Sequence, residues 1–249
     1  MDKLSDIVVD IIIFATTLSL LTWTQPALYW WTVGVAAIVL YAAWVVIYEV
    51  YDTFVNQKDA RAPPFTVSAV ANSVFNIVLL CSSALWFYRS PSGDVNYSID
   101  WLQAFVILCV WALWTEVVFY TLHRIAHHRW FYVAIHKQHH TYSVTRPLYC
   151  QYLSVWESVL VNIPSVNGFL LLYLPHPYIA IAVTAMFVYN NVSSHRSMHV
   201  QPGRHAMHHM YNNCNYGNSQ LMDSLLGTER NTTTEPLVVP ARRKPRKEE

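Results

Sequence analysis

The chain has 249 residues, of which 54% are hydrophobic and only 12% charged, with ten Trp and sixteen Tyr, a composition that excludes an ordinary soluble protein of this size. The formal net charge of +1 is unevenly spread, because five Lys and Arg (Arg242, Arg243, Lys244, Arg246 and Lys247) fall in the last nine residues. A basic tail beside a membrane marks the cytosolic side, and no nucleic-acid partner is expected. The four cysteines, at 81, 109, 150 and 214, have no CxxC spacing and read as free thiols.

In chain order, residues 7–23 and 28–48 are apolar and are separated by Thr24-Gln25-Pro26, which predicts a tight helical hairpin. Each stretch is near the roughly 20 residues that a bilayer-crossing helix needs. The start resembles a signal peptide, but Asp2, Asp6 and Asp10 and the lack of a small-residue cleavage site argue against its removal. A polar loop with Lys58, Arg61 and Pro63-Pro64 leads to a third apolar span at 66–88. After a second polar loop comes a fourth, at 101–120, which runs directly into a histidine-rich stretch.

That stretch carries His123, His127 and His128, then His136, His139 and His140: six histidines in eighteen residues, of twelve in the chain. Residues 149–192 are again apolar but broken by Pro164, Asn167-Gly168 and Leu174-Pro175-His176-Pro177, which predicts a helical hairpin. An even number of crossings then returns the chain to the side it left, so His195, His199, His205, His208 and His209 meet the earlier clusters. With four spans, fifteen of the sixteen Lys and Arg lie on the histidine side and only Arg89 lies opposite, which makes that side cytosolic. A sequon at Asn96-Tyr97-Ser98 lies on the opposite loop. The expected organisation is one membrane-embedded unit: spans in 1–122, two histidine boxes in 123–148, the hairpin in 149–192, a third box in 193–229, and a basic tail in 230–249.

On a helix, residues four apart differ by about 40° and residues three apart by about 60°, so His123/His127, His136/His139/His140 and His205/His208/His209 each project as one chelating face. Nine residues separate His127 from His136, roughly half a turn out of phase, so the helix must break near Arg129-Trp130-Phe131. His128 is off the first face and is held in reserve, as is His199. A single histidine such as His176 is better explained as an interfacial residue, whereas three clusters in register point to metal. One zinc uses three or four ligands and the HExxH of zinc hydrolases is absent, so His123, His127, His136, His139, His140, His195, His205, His208 and His209 suggest two metals. A soluble-type di-iron carboxylate site needs Glu-x-x-His repeats, which neither Glu116 nor Glu157 provides. A metal carrier is the competing class, but its histidines would line a path within the membrane instead of sitting past the ends of spans.

Other candidates are ionisable or polar residues near these clusters. Glu116 lies seven residues before His123, on nearly the same helix face and about 10 Å deeper. Glu157, Asp223 and Asn215 are candidates to accept the free ring N–H of a metal-bound histidine. The tryptophans, among them Trp111 and Trp114, read as interface belt and packing. Lys137 and Arg129 are candidates to dock an acidic electron donor.

An HxxxH at His123/His127, an HxxHH at His136/His139/His140 and a later HxxHH at His205/His208/His209 resemble the fatty acid hydroxylase and sterol desaturase superfamily over residues 123–228. The first two boxes look like the C-4 methyl sterol oxidase branch. Residues 151–157 and 213–216 look like cholesterol 25-hydroxylase, and Asn215-Tyr216-Gly217 with Asp223 and Gly227-Thr228 is similar to the ending shared by many members. The chain departs from the family in having Ser154-Val155-Trp156 before Glu157 and Met222 before Asp223.

The resemblance implies two iron ions, with zinc able to take their place in a purified sample, and electrons from a cytochrome b5-like donor. It further implies O2-dependent hydroxylation of a membrane lipid, most readily a sterol, with desaturation or C-4 methyl oxidation as the alternative. A zinc-dependent hydrolase is the alternative from another class. The ending Arg246-Lys247-Glu248-Glu249 resembles a retrieval signal of the endoplasmic reticulum membrane.

Overall fold

The computed structural model describes residues 29–54, 63–87, 100–196 and 203–230, and among them every regular element is helical, with no strand. Three long helices come first: α1 Tyr29–Phe54, α2 Val67–Phe87 and α3 Trp101–Ala126. Within the described residues, Val67–Ala84 and Trp101–Ala126 are long and apolar enough to cross a membrane. The stretch at 7–23, the Lys58/Arg61 loop, the sequon, His199 and the basic tail lie outside the described residues. The count of four spans and the cytosolic side therefore rest on sequence.

α3 explains itself by its two faces. Ala104, Trp111, Thr115, Phe119 and Ala126 recur at helical spacing and are buried, while Trp101, Leu102, Phe105, Val106, Val110, Leu113 and Val117 are exposed. Keeping that second stripe in water costs about 25 cal/mol per Å² of apolar surface, and a lipid environment removes the cost. The helix begins where the Asp100 side chain accepts the backbone N–H groups of Leu102 and Gln103 at 2.9 and 3.1 Å. It stops at Ala126, and residues 127–131 turn the chain into the one-turn helix α4 Tyr132–Ile135. The break falls where the half-turn mismatch between His127 and His136 requires it.

The expected hairpin at 149–192 is regular in only one arm. Its second arm is α7 Pro177–Ser194. The first arm is a chain of short turns: a 3-10 turn Pro147–Gln151, α5 Val155–Glu157, a π turn Ser158–Asn162, α6 Ile163–Val166 and a 3-10 turn Gly168–Leu171. Broken backbone in an apolar setting must find partners for its polar groups, and neighbouring helices supply them. On α2, Ser73 donates to the Leu148 carbonyl (3.1 Å) and Asn76 to those of Gln151 and Leu153 (3.1 Å each). Asn72 accepts from Leu153 N at 3.0 Å. On α3, Trp111 and Trp114 donate their indole N–H to the carbonyls of Val166 (2.6 Å) and Pro164 (3.2 Å). These two tryptophans are therefore fasteners of the broken arm, and the fully buried Trp111 is not an interface-belt residue. Gly168 allows this closeness, since a Cβ there would sit 3.3 Å from the Trp114 ring.

One ion pair ties α1 to the start of this arm. Arg146 donates to both carboxylate oxygens of Glu49, at 2.9 and 2.5 Å, and to the Pro63 carbonyl at 2.7 Å. The remaining helices are α8 Arg204–Tyr211, carrying the third histidine box, and α9 Leu221–Leu225, which packs on α3.

Candidate metal centre

Nine imidazoles converge beyond the C-terminal end of α3, and they fall into two groups. His123, His127, His136, His140 and His208 form one, and His139, His195, His205 and His209 the other. Within each group the potential ligand atoms all lie within 4.8 Å of one another. In the first, Nε2 separations are 3.0 Å for His123–His136, 2.9 Å for His136–His140, 3.0 Å for His127–His208 and 3.1 Å for His140–His208. In the second they are 3.1 Å for His205–His209, 3.2 Å for His195–His209 and 3.4 Å for His139–His195. Two nitrogens at right angles on a metal with bonds of about 2.1 Å lie about 3.0 Å apart, and tetrahedral neighbours about 3.4 Å. Both groups have the spacing of a chelated cation.

The division follows the pairs that are four residues apart. His123/His127, His136/His140 and His205/His209 are pairs four apart, and each pair stays within one group. The member three residues after the first, His139 or His208, leans out to the other group. Each HxxHH box is thus shared between the groups, a correction to the expectation that each forms a single chelating face. The rings of His140 and His209, one from each group, stack at 4.4 Å between centroids.

The outward nitrogens show how the rings are oriented. His123 Nδ1 lies 2.7 Å from the Tyr216 carbonyl, His208 Nδ1 2.7 Å from that of Cys214, and His195 Nδ1 2.7 Å from that of Asn191. A carbonyl only accepts, so these three Nδ1 atoms carry the proton and each Nε2 turns a lone pair inward. His136 Nδ1 faces Glu157 Oε1 at 2.9 Å. The Nδ1 atoms of His136, His139, His140 and His209 are buried without a hydrogen-bond partner, the Glu157 contact being one of charge and proximity. Leaving such groups unmatched costs about 1–3 kcal/mol each, a cost that coordination of a cation at the opposite nitrogen would offset. Burial, reinforced by the neighbouring imidazoles, holds His139, His140, His205 and His209 well below the ordinary histidine range, which keeps them neutral donors. The donor set fits a pair of transition-metal ions.

Of the carboxylate candidates, Glu157 meets a ring nitrogen directly. Asp223 instead accepts the backbone N–H groups of Tyr216 and Gly217 at 2.8 Å each and the Thr228 hydroxyl at 2.7 Å. Glu116 accepts Ser219 N at 2.6 Å and Met222 N at 3.2 Å. Asn215, at φ +54°, donates to the carbonyls of Arg204 and Arg230 (3.0 Å each) and accepts Arg230 N at 2.7 Å. All three hold the loop after α8, whose carbonyls at 214 and 216 orient His208 and His123. Gly217 is obligatory there, because a Cβ would come within 2.9 Å of both Glu116 and Asp223. The carbonyls of Asn191, Cys214 and Tyr216 were not foreseeable, since backbone acceptors leave no trace in side-chain identity.

Of the two reserve positions, the one that is described stays out of the site. His128 is exposed and its ring packs 4.9 Å from that of Trp130, because five residues from His123 rotate it off the ligand face. His199 is outside the described residues, and His176 belongs to neither group. Arg129 and Lys137 are exposed. All four cysteines are free, with Cys109 exposed and Cys81, Cys150 and Cys214 buried.

Residues 108–228 match the fatty acid hydroxylase family model. The chain is 28% identical over 161 residues to human fatty acid hydroxylase domain-containing protein 2, covering 62% of this chain and 47% of that protein. It is 27% identical over 136 residues to a Delta(7)-sterol 5(6)-desaturase of Gibberella zeae (49% and 40% covered). With mouse lathosterol oxidase it shares 23% over 209 residues (74% and 67%). The match spans less than half the length of the human relative, and no solved structure matches the chain. Residues 108–228 are thus similar to the fatty acid hydroxylase family, and the relatives named are consistent with the superfamily that also holds the sterol desaturases.

Proposed function

We propose that this protein is a membrane-embedded di-iron oxidoreductase that uses O2 to hydroxylate a lipid, preferably a sterol. The observation that carries this reading is the division of nine neutral imidazoles, six buried and three partly buried, into groups of five and four with chelate spacing. Iron held by such ligands supplies, with O2 and external electrons, the oxidising power to cleave an unactivated C–H bond. The roles of the chain's own groups follow from their contacts. The carbonyls of Tyr216, Cys214 and Asn191 fix the tautomers of His123, His208 and His195, and the Glu157 carboxylate lies against Nδ1 of His136. Phe119 packs beside His123 and is backed in turn by Phe187, which makes that side apolar.

The electron donor in this reading is cytochrome b5-like and meets the exposed cationic face at Arg129 and Lys137. The protein resides in the endoplasmic reticulum membrane with its metal centre towards the cytosol. Zinc would compete for the same ligands in a purified sample. The sterol desaturase and lathosterol oxidase among the relatives favour a sterol over an acyl chain, and they make desaturation a specific second reading.

Reduced protein supplied with a donor, ¹⁸O-labelled O2 and a panel of sterols and acyl lipids tests both. Label in a new hydroxyl of a sterol supports hydroxylation, and an unlabelled product lighter by two hydrogens selects desaturation. Turnover without O2 would overturn both.

A further inference from the structure

The segment after the third histidine box runs back along α3, away from the metal centre. Glu116, which lies seven residues before His123 on α3, takes the backbone N–H groups of Ser219 and Met222. One turn nearer the histidines, the Tyr120 hydroxyl meets Thr228 Oγ1 at 3.0 Å. Residues 219–228 therefore lie beside residues 116–120 of α3. At 1.5 Å per residue, the 26 residues of α3 extend about 39 Å, longer than a hydrocarbon core of about 30 Å. If Trp101 marks one edge of that core, the other edge falls near residue 121, and Glu116 lies about 7 Å inside it.

The side chains of the segment divide accordingly. Leu221, Leu225 and Leu226 are 47%, 69% and 50% exposed. Gln220 and Ser224, four residues apart on another face, both bond to Glu229, while Asp223 is fully buried under the loop. The leucines are thus an apolar face at the level where α3 itself exposes Val117 and Leu113. The segment's backbone donors at 219 and 222 are satisfied by Glu116, as a position against lipid would require.

We propose that residues 219–226 form a membrane-dipping edge whose Leu221, Leu225 and Leu226 insert among lipid acyl chains just beneath the headgroups. The occupant of this face is the bilayer, because it continues the lipid-facing stripe of α3 at equal depth; the inference rests on α3 crossing the membrane. Insertion of about 5–10 Å is the usual depth of such interfacial elements. The bilayer then fixes the position of the same loop whose carbonyls orient His123 and His208.

A nitroxide label tests this on the full chain in phosphatidylcholine vesicles, with Cys109→Ser removing the exposed native thiol. Labels are placed by Leu221→Cys and Leu225→Cys, with Val110→Cys on the outer stripe of α3 and Ser143→Cys beside the metal centre as references. Relaxation by O2, which partitions into lipid, is compared with relaxation by aqueous chromium oxalate. The expected result is that labels at 221 and 225 respond chiefly to O2, as at 110, and opposite to 143. Labels at 221 and 225 that respond as at 143 would overturn the proposal, and so would labels shielded from both reagents, which would mean a protein cover. A label at 110 that responds to chromium oxalate would overturn it at its root, by removing α3 from the membrane. None of these readings depends on metal or turnover, so they stand apart from the test of the proposed reaction.

Discussion

The backbone carbonyl of Tyr216 accepts the Nδ1–H of His123 at 2.7 Å, across 93 residues of chain. The same residue's N–H is held by Asp223, which is buried and cannot be replaced by water. Asp223 therefore acts on the imidazole through the peptide it grips.

Asp223→Ala should loosen that peptide and the Gly217 N–H together, and lower metal affinity at the five-histidine group by about 10–100-fold. Metal retained against increasing chelator measures this. Asp223→Asn, which keeps one acceptor oxygen, should lose less.

Glu157→Ala should remove the partner of His136 Nδ1 and lower activity by about 10–100-fold. Glu157→Gln still offers an oxygen at the same place and should retain more of it. Turnover and metal content of the two variants, measured side by side, distinguish loss of the polar contact from loss of charge.

The histidine boxes were legible in sequence because chelation needs particular side chains at particular helical intervals, and so was the break between His127 and His136. The sharing of each HxxHH between two groups was less legible, since it depends on how α8 and the turn at 136–140 are rotated against α3. The roles of Asp223 and Asn215 were misplaced because their partners are backbone groups of a loop, as are those of Glu116. The irregular first arm of the hairpin was hidden for a related reason: Asn72, Ser73 and Asn76 lie in an otherwise apolar helix, and their purpose appears only beside the backbone groups they bond, the carbonyls at 148, 151 and 153 and the N–H of Leu153.

Arg146→Leu should strand the partly buried Glu49 carboxylate and destabilise the fold by about 3 kcal/mol. The pair Arg146→Met with Glu49→Leu should recover most of that loss. Thermal unfolding of the detergent-solubilised protein would show it, and equal destabilisation by the single and double changes would contradict the assignment.

Acid should destabilise the metal-free protein. The folded-state pKa of His139, His140, His205 and His209 lies well below that of the unfolded chain, near 6.5, so the unfolded state binds more protons. Their neutral form is fully compatible with folding above about pH 6.5, and stability falls as pH drops below it. Unfolding midpoints measured from pH 8 to pH 5 should decline over the lower half of that range, more steeply than in His139→Gln.

The central claim is that adjacent residues His139 and His140 serve different metal ions. Elemental analysis of the purified, iron-loaded chain measures it directly, together with His139→Ala and His140→Ala. Two ions per chain are expected, with each substitution weakening a different one, so that the two variants differ in the spectrum of the iron they retain. A single ion per chain, or identical residual spectra from both variants, would contradict the account.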